Sequence, residues 1–377
     1  MTGQTRPTIN SKRLFKLLKD MVEIYSPSGK EEEIIEFLEN YLRRFDIPVI
    51  RQRVDEDREN LLFIPKNEEI ELALIGHVDT VPAYDWNNYG FEQDGDEILG
   101  LGTADMKGGC AAMVEAMVTL FEHGLHDLPI ALLFLVGEEE NGDGCRTLLD
   151  EYHFPWAIIG EPTDLIPCLN HYSYMEMKIE SSGRRMHASM ANQGHNAIQS
   201  LLTVLKDLTR FLDRRYKNVV YNIRDMNSPR AGFAVPDHCE AWLDLHLPPD
   251  LLTSKLAVEL EDIVANPKHQ NKSSQSISVT FTTIHGGYQL SERGLVPETL
   301  LQIYQEKNIP WKTGAFRSHS DANLLWAAGI KPILLGPGLL EKAHTQDEAV
   351  PFHQVCSIAQ IYLEMALRIP RPSSPDA

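Results

Sequence analysis

Leu72-Ala73-Leu74-Ile75-Gly76-His77-Val78-Asp79-Thr80-Val81-Pro82 is an apolar run of strand length that ends in a glycine and two polar side chains. Residues two apart on an extended segment point to the same face, so His77 and Asp79 are expected side by side at the strand's end. A histidine placed there can bind a metal through one ring nitrogen, while a neighbouring carboxylate holds the other and fixes the tautomer. The alternation alone does not say which group Asp79 touches. By itself the stretch reads equally well as a solvated strand end.

The balance shifts downstream, where further apolar runs end in further donors. Gly100-Leu101-Gly102-Thr103-Ala104-Asp105-Met106-Lys107-Gly108-Gly109 leads into helix formers from Ala111 to Leu120. Glycines let that turn bend sharply and approach an ion closely. Asp105 stands just ahead of the helix, where an ordinary cap is the competing reading. Ile130 to Val136 reads as a buried parallel strand and runs into Gly137-Glu138-Glu139-Glu140-Asn141-Gly142. Three successive carboxylates at the end of a buried strand repel one another unless solvent or cations intervene. Trp156 to Ile159 ends in Gly160-Glu161, and Lys331 to Leu335 ends in Gly336-Pro337-Gly338, followed by Ala343-His344-Thr345. His344 is therefore the natural partner of His77.

Donors gathered at the carboxyl ends of neighbouring strands lie where an open α/β sheet places its ligand. His77, Asp105, the Glu138/Glu139 pair and Glu161 form a mixed nitrogen and oxygen set without thiolate, which suits zinc. The set has more carboxylates than one ion needs. Two ions sharing a bridging carboxylate and a water are the expectation.

The rest of the chain frames this site. Ser11 to Tyr25 carries an amphipathic helical spacing, and Ser28 with Glu31 fits a capping box opening a second helix through Leu42. Short strands are expected at Ile47 to Ile50 and Leu61 to Ile64. In the middle, strands at Tyr172 to Ser181, Val219 to Ile223, Cys239 to Leu247 and Ser276 to Thr283 alternate with helices from about Gly194 to Tyr216 and Leu251 to Val264. The order βαββαβ is that of a ferredoxin-like unit, inserted between two parts of a larger α/β domain with a central, mostly parallel sheet. The expected boundaries are 1–171, 172–284 and 285–377. In the inserted unit His187 follows Gly183-Arg184-Arg185-Met186, and by itself reads more readily as a surface histidine than a catalytic one. Further on, Arg317 precedes the helix expected at Leu324 to Ala328 and is a candidate clamp for a substrate carboxylate.

The chain has 377 residues and a net charge of −19, a field that repels phosphate backbones and anionic membranes. No apolar stretch approaches the ~18 residues of a membrane span. The first seven residues lack the apolar core of a secretory signal. The five cysteines show no disulfide-framework spacing. A reduced, cytoplasmic protein without nucleic-acid or membrane partners is expected.

Gly76-His77-Val78-Asp79-Thr80-Val81-Pro82, Gly102 to Gly109, the glutamate pair, Gly160-Glu161-Pro162 and Ala343-His344-Thr345 occur in this order. Together they resemble the M20 metallopeptidase family over nearly the whole chain. The nearest likeness is to its branch of acetylornithine deacetylases, succinyl-diaminopimelate desuccinylases and lysine-biosynthesis amidohydrolases. The resemblance implies a zinc-aminopeptidase-like catalytic domain with the inserted unit as a lid. It implies two zinc ions (cobalt or manganese being alternatives), one held by His77 and Glu161, the other by Glu139 and His344, with Asp105 bridging.

In the same likeness Asp79 orients His77, Glu138 is the general base, and His187 stabilises the oxyanion in a partner subunit, implying a homodimer joined through the lid. The three consecutive glutamates leave a shifted choice open, with Glu139 as base and Glu140 as ligand. Arg317 with Gly336 and Gly338 would bind the amino-acid part of an N-acyl amino acid. The lid departs from the family pattern, with Phe233 where an asparagine is usual and His246 where an arginine is usual. An exopeptidase or dipeptidase with the same metals is the alternative activity. A silent binding protein on this scaffold is the remaining one, although no ligand is missing.

Overall fold

A strand with no polar side chain before its last residue has to be covered on both faces, and three runs of this chain meet that condition in succession. The structure is a computed structural model and describes residues 6–66, 69–85, 89–266, 268–269 and 276–371. Its strands used below are β1 (Ile50–Arg53), β2 (Glu59–Phe63), β3 (Leu72–His77), β4 (Ile130–Leu135), β5 (Trp156–Ile159), β6 (Ser173–Ser182), β7 (Val220–Asn227), β8 (His238–Leu247), β9 (Ser276–His285) and β10 (Lys331–Leu334). The α-helices are α1 (Ser11–Glu23), α2 (Glu32–Arg43), α3 (Gly108–Glu122), α4 (Asp143–Glu151), α5 (Ala197–Arg215), α6 (Thr253–Val264), α7 (Leu295–Glu306), α8 (Asp321–Ala327) and α9 (Phe352–Arg368). The chain divides into two compact units, one of residues up to 169, 290–316 and from 320, the other of residues 170–289 and 317–319.

The part of the central sheet that carries the site runs β1-β2-β4-β3-β5-β10, with the four strands from β4 to β10 parallel and the sheet continuing beyond β10 in short antiparallel strands. Every residue of β3, β4 and β5 is buried. Burying a leucine, isoleucine or phenylalanine contributes roughly 1.5–3 kcal/mol each, so these strands are fixed in register and their carboxyl ends are fixed with them. β3 lies between β4 and β5, so the chain crosses from one side of β3 to the other at this point. Such a reversal opens a crevice beyond the strand ends. The helix α3 is buried from Gly108 to Phe121, and it approaches the sheet closely at Gly109, where a Cβ would lie 2.2 Å from the carbonyl oxygen of Gly160. Glu115, fully buried on α3, is met by Arg13 of α1 in a two-pronged pair at 2.7 and 2.9 Å, and by the N–H of Asn10 at 2.7 Å. A buried carboxylate is tolerable only with its hydrogen bonds made in this way.

The second unit has the sheet order β7-β8-β6-β9 with every pairing antiparallel. β6 alternates buried and half-exposed residues, the pattern of a sheet with one covered face. Met175, Met177 and Ile179 of that face form one core with Leu201, Leu208 and Leu212 of α5. His171 is fully buried at this unit's start; its Nδ1–H donates to the carbonyl oxygen of Tyr172 at 2.8 Å and its ring stacks on Tyr288.

Burial holds the His171 imidazole down at about 4, against the bond to Tyr172 and with the help of nearby His246. Below pH ~6.5 the unfolded chain therefore takes a proton that the folded chain refuses until about pH 4. The stability lost between those values amounts to about 3 kcal/mol and is complete below pH 4. His171→Phe, which keeps the stacked ring, is expected to shrink the difference between urea midpoints at pH 7 and pH 5. An undiminished difference would assign the acid sensitivity to other groups.

Several sequence expectations are corrected here. The Ser28 and Glu31 capping box does not form: α2 starts at Glu32 without a side-chain cap, and Ser28 Oγ donates to Asp79 Oδ2 instead at 2.7 Å. The strand expected at Ile47 to Ile50 begins at Ile50 and runs to Arg53, because Ile47 and Val49 are buried without pairing. Residues 143–151 form helix α4, an element the sequence reading did not assign. The second unit spans 170–289 and takes in 317–319, so Arg317 belongs to it rather than to the first unit.

Candidate metal centre

β3 delivers His77 as its last, buried residue. The ring Nδ1 lies 3.0 Å from the backbone carbonyl oxygen of Asp79 and 3.7 Å from its carboxylate. A carbonyl only accepts, so Nδ1 carries the hydrogen and Nε2 faces the centre. The group that orients His77 is thus the main chain of Asp79. The Asp79 carboxylate does something else: it accepts the backbone N–H groups of Glu138 at 3.2 Å and Glu139 at 3.0 Å, together with the Ser28 hydroxyl. One residue at the end of β3 therefore sets both a histidine and the glutamate turn at the end of β4.

Asp105 stands between the two histidines. Its Oδ1 is 3.1 Å from His77 Nε2 and its Oδ2 is 3.4 Å from His344 Nε2. His344, half-exposed and held at φ +58°, also lies 3.0 Å from Glu139 Oε1. Glu161 at the end of β5 comes within 3.8 Å of His77 Nε2, and Glu138 within 3.9 Å. Donor atoms of His77, Asp105 and Glu161 lie within 4.8 Å of one another, as do those of Asp105, Glu139 and His344. The two groups share Asp105. Glu138 belongs to neither, and Glu140 is exposed and in neither.

The electrostatics of this cluster are those of a site built around positive charge. Burial alone would lower the proton affinity of His77, yet the bond to Asp105 and the charges of Glu138 and Glu161 hold it well above its ordinary value. His344 is raised to about 11 by Asp105 and Glu139. Burial raises Glu138, Glu139 and Glu161, whereas the two histidines hold Asp105 low against its own burial. Within the two ligand groups, protons on the histidines and the glutamates supply the counter-charge. Divalent cations would supply it in their place, with His77 Nε2 and the carboxylates as donors, a set of nitrogen and oxygen atoms that suits zinc. Ion uptake would then displace protons, and affinity would fall in acid.

The other expected residues fall elsewhere. His187, in the second unit, is exposed; its Nδ1 accepts from the Ser189 hydroxyl at 2.8 Å and from the Ser189 N–H at 3.2 Å, which leaves the hydrogen on Nε2. Arg317 is exposed. The N–H of Gly336 donates to Thr163 Oγ1 at 3.1 Å and that of Gly338 to Gln354 Oε1 at 2.8 Å. Both glycines thus serve the turn after β10, and their amides are already engaged. Three residues of the first unit to which the sequence reading gave no role at the centre lie against it. Ser28 fixes Asp79, Glu348 accepts backbone N–H groups around Asp105, and Asp321 is a buried carboxylate whose Oδ1 has no partner. Burial, with the Asp79 charge, pushes Asp321 up to about 7 despite the opposing His77. Glu348 lies in the acidic run after His344, and Asp321 opens α8 just after Arg317, so both sat beside residues already singled out.

Comparison with known proteins matches residues 73–368 to the model of peptidase family M20/M25/M40. A probable succinyl-diaminopimelate desuccinylase of Staphylococcus epidermidis is 34% identical over 214 residues, an alignment covering 54% of this chain and 52% of that relative. The match thus spans about half the length of that relative. A probable carboxypeptidase of Aspergillus terreus is 26% identical over 377 residues, covering 92% of this chain and 84% of the relative. In fold, the chain is similar to a crystal structure of a tripeptidase from Staphylococcus aureus, with a TM-score of 0.77, 20% identity, and 95% and 98% of the two chains covered. With its ordered donors at the ends of parallel strands and a family match over most of its length, the chain belongs to peptidase family M20/M25/M40, whose members are hydrolases of amide bonds.

Proposed function

We propose that this chain removes the acyl group from an N-acyl amino acid, using two divalent cations, zinc above cobalt or manganese. The observation that carries the reading is the pair of ligand groups sharing Asp105, with the buried carboxyl of Glu138 beside them and outside both. His77 and Glu161 would hold one ion, Glu139 and His344 the other, and Asp105 both. When bound, such ions would supply polarisation of the scissile carbonyl and a lowered proton affinity for the attacking water.

The chain's own groups do the rest. Glu138 takes the proton of the attacking water and passes it to the leaving amine, a role suited to a carboxyl whose proton affinity burial has raised. The Asp79 carbonyl keeps the His77 tautomer, and the Asp79 carboxylate keeps the glutamate turn in place. His187 Nε2–H donates to the carbonyl oxygen as its negative charge develops, reaching the active site of a second copy in a homodimer joined through the second unit, which acts as the lid. Arg317 pairs with the substrate carboxylate. The setting is cytoplasmic, which fits five unpaired cysteines and the absence, among the described residues, of a helix long and apolar enough to cross a membrane.

The second reading is an exopeptidase, favoured by the carboxypeptidase relative aligned over nearly the whole chain. A panel of acetylornithine, acetylcitrulline, succinyl-diaminopimelate and simple dipeptides, run with and without added zinc, separates the two. The N-acyl amino acids are expected to give the highest kcat/KM, and only with metal. Faster turnover of dipeptides would replace the first reading with the second.

A further inference from the structure

Glu348 is 97% shielded from solvent, and its carboxylate is spent on main chain (its relative exposure is 3%). Oε1 accepts the N–H groups of Ala104 and Asp105, and Oε2 that of Gly102, all at 3.0 Å. The Glu348 carbonyl oxygen accepts a fourth, from Gly100, at 3.2 Å. The register that permits this is set next door, where Ala349–Pro351 pairs antiparallel with Glu97–Leu99 and Ala349 opposes Leu99. A short antiparallel ladder therefore brings the residue before one strand alongside the turn after the other. That turn carries Asp105, and the segment leading to Glu348 carries His344 four residues earlier.

We propose that Glu348 is a positioning residue that locks the Asp105 turn to the His344 loop and so sets the affinity of both ion positions. The inference rests on the metal reading above and assigns a residue that the reading does not need. Three N–H donors converge on two oxygens, and glutamine would turn an NH2 group toward the Gly102 N–H, donor against donor. Partners of this kind, one step behind the ligands, govern metal affinity by about 10–100-fold.

The test is zinc titration of the metal-free full chain in competition with a chromophoric chelator, for wild type, Glu348→Gln, Glu348→Asp and the neighbouring control Asp347→Asn. Hydrogen exchange of residues 100–107 is followed on the same metal-free samples. Wild type and Asp347→Asn are expected to bind two zinc ions per chain with equal affinity. Glu348→Gln should bind them about 10–100-fold more weakly, with faster exchange in that segment and unchanged exchange in β3 and β4. Glu348→Asp, one methylene short, should fall between.

Wild-type affinity in Glu348→Gln overturns the proposal, as does unchanged exchange. Collapse of the whole fold in both Glu348 variants also overturns it, since the residue would then support the domain and not the site. Fewer than two ions on the wild type would instead bring down the metal reading itself, while the exchange data would still report whether the two loops are tied.

Discussion

Glu138→Gln is expected to lower kcat by about 10²–10⁴-fold, the range in which a positioned general base contributes, while the protein still takes up two zinc ions. The two halves of that expectation come from separate observations. The side chain lies outside both ligand groups and its Oε2 is 3.9 Å from His77 Nε2, so its removal takes no donor from an ion. The backbone N–H of residue 138 is what Asp79 holds, and glutamine keeps it. Burial of the carboxyl, reinforced by Glu161, Glu139 and Asp321 and opposed by His77, raises its proton affinity, which favours a group that must both accept and return a proton. Glutamine fills the same volume and can do neither. Metal analysis alongside kcat on the best panel substrate decides the matter. Undiminished turnover would remove Glu138 from the role, and loss of metal would move it into the ligand set.

The parallel core was legible because it depends on composition alone. Apolar runs ending in glycine at residues 76, 137 and 160 can only be buried strands with turns after them, and the donors follow as the next residues. The helices α7 and α9 were not anticipated, since the reading followed chemistry and both lie outside the motifs. What the one-dimensional pattern could not supply was the choice between a residue's side chain and its main chain. Alternation places Asp79 on the face of His77, yet the bond to the ring comes from the Asp79 carbonyl and the carboxylate turns to the glutamate loop. Ser28 misled for a related reason. A serine three residues before a glutamate satisfies the local capping rule, but the buried Asp79 carboxylate needs a donor more than the open end of α2 does. Glu348 could not be assigned a role, because its partners are amides 243 to 246 positions away in sequence, brought close by a three-residue ladder.

Asp105→Asn is expected to cost more than any other single change, because this side chain is the only one that both ligand groups use. Its two oxygens are divided, Oδ1 toward His77 and Oδ2 toward His344. Asparagine keeps the shape and one acceptor, but it puts an NH2 group where one ion needs an oxygen and removes the charge that holds both. Polarisation by a bound ion is worth several kcal/mol of transition-state stabilisation, so losing one position should lower kcat/KM by about 10³-fold or more. Zinc content should fall from two ions to one or none. The folded domain should persist, since the Gly102, Ala104 and Asp105 amides stay bonded to Glu348 and β3, β4 and β5 are untouched. A variant that keeps two zinc ions and its activity would mean that the histidine pair is not bridged through Asp105. The ends of β3 and β5 would then hold one ion by themselves, with His344 serving some other purpose.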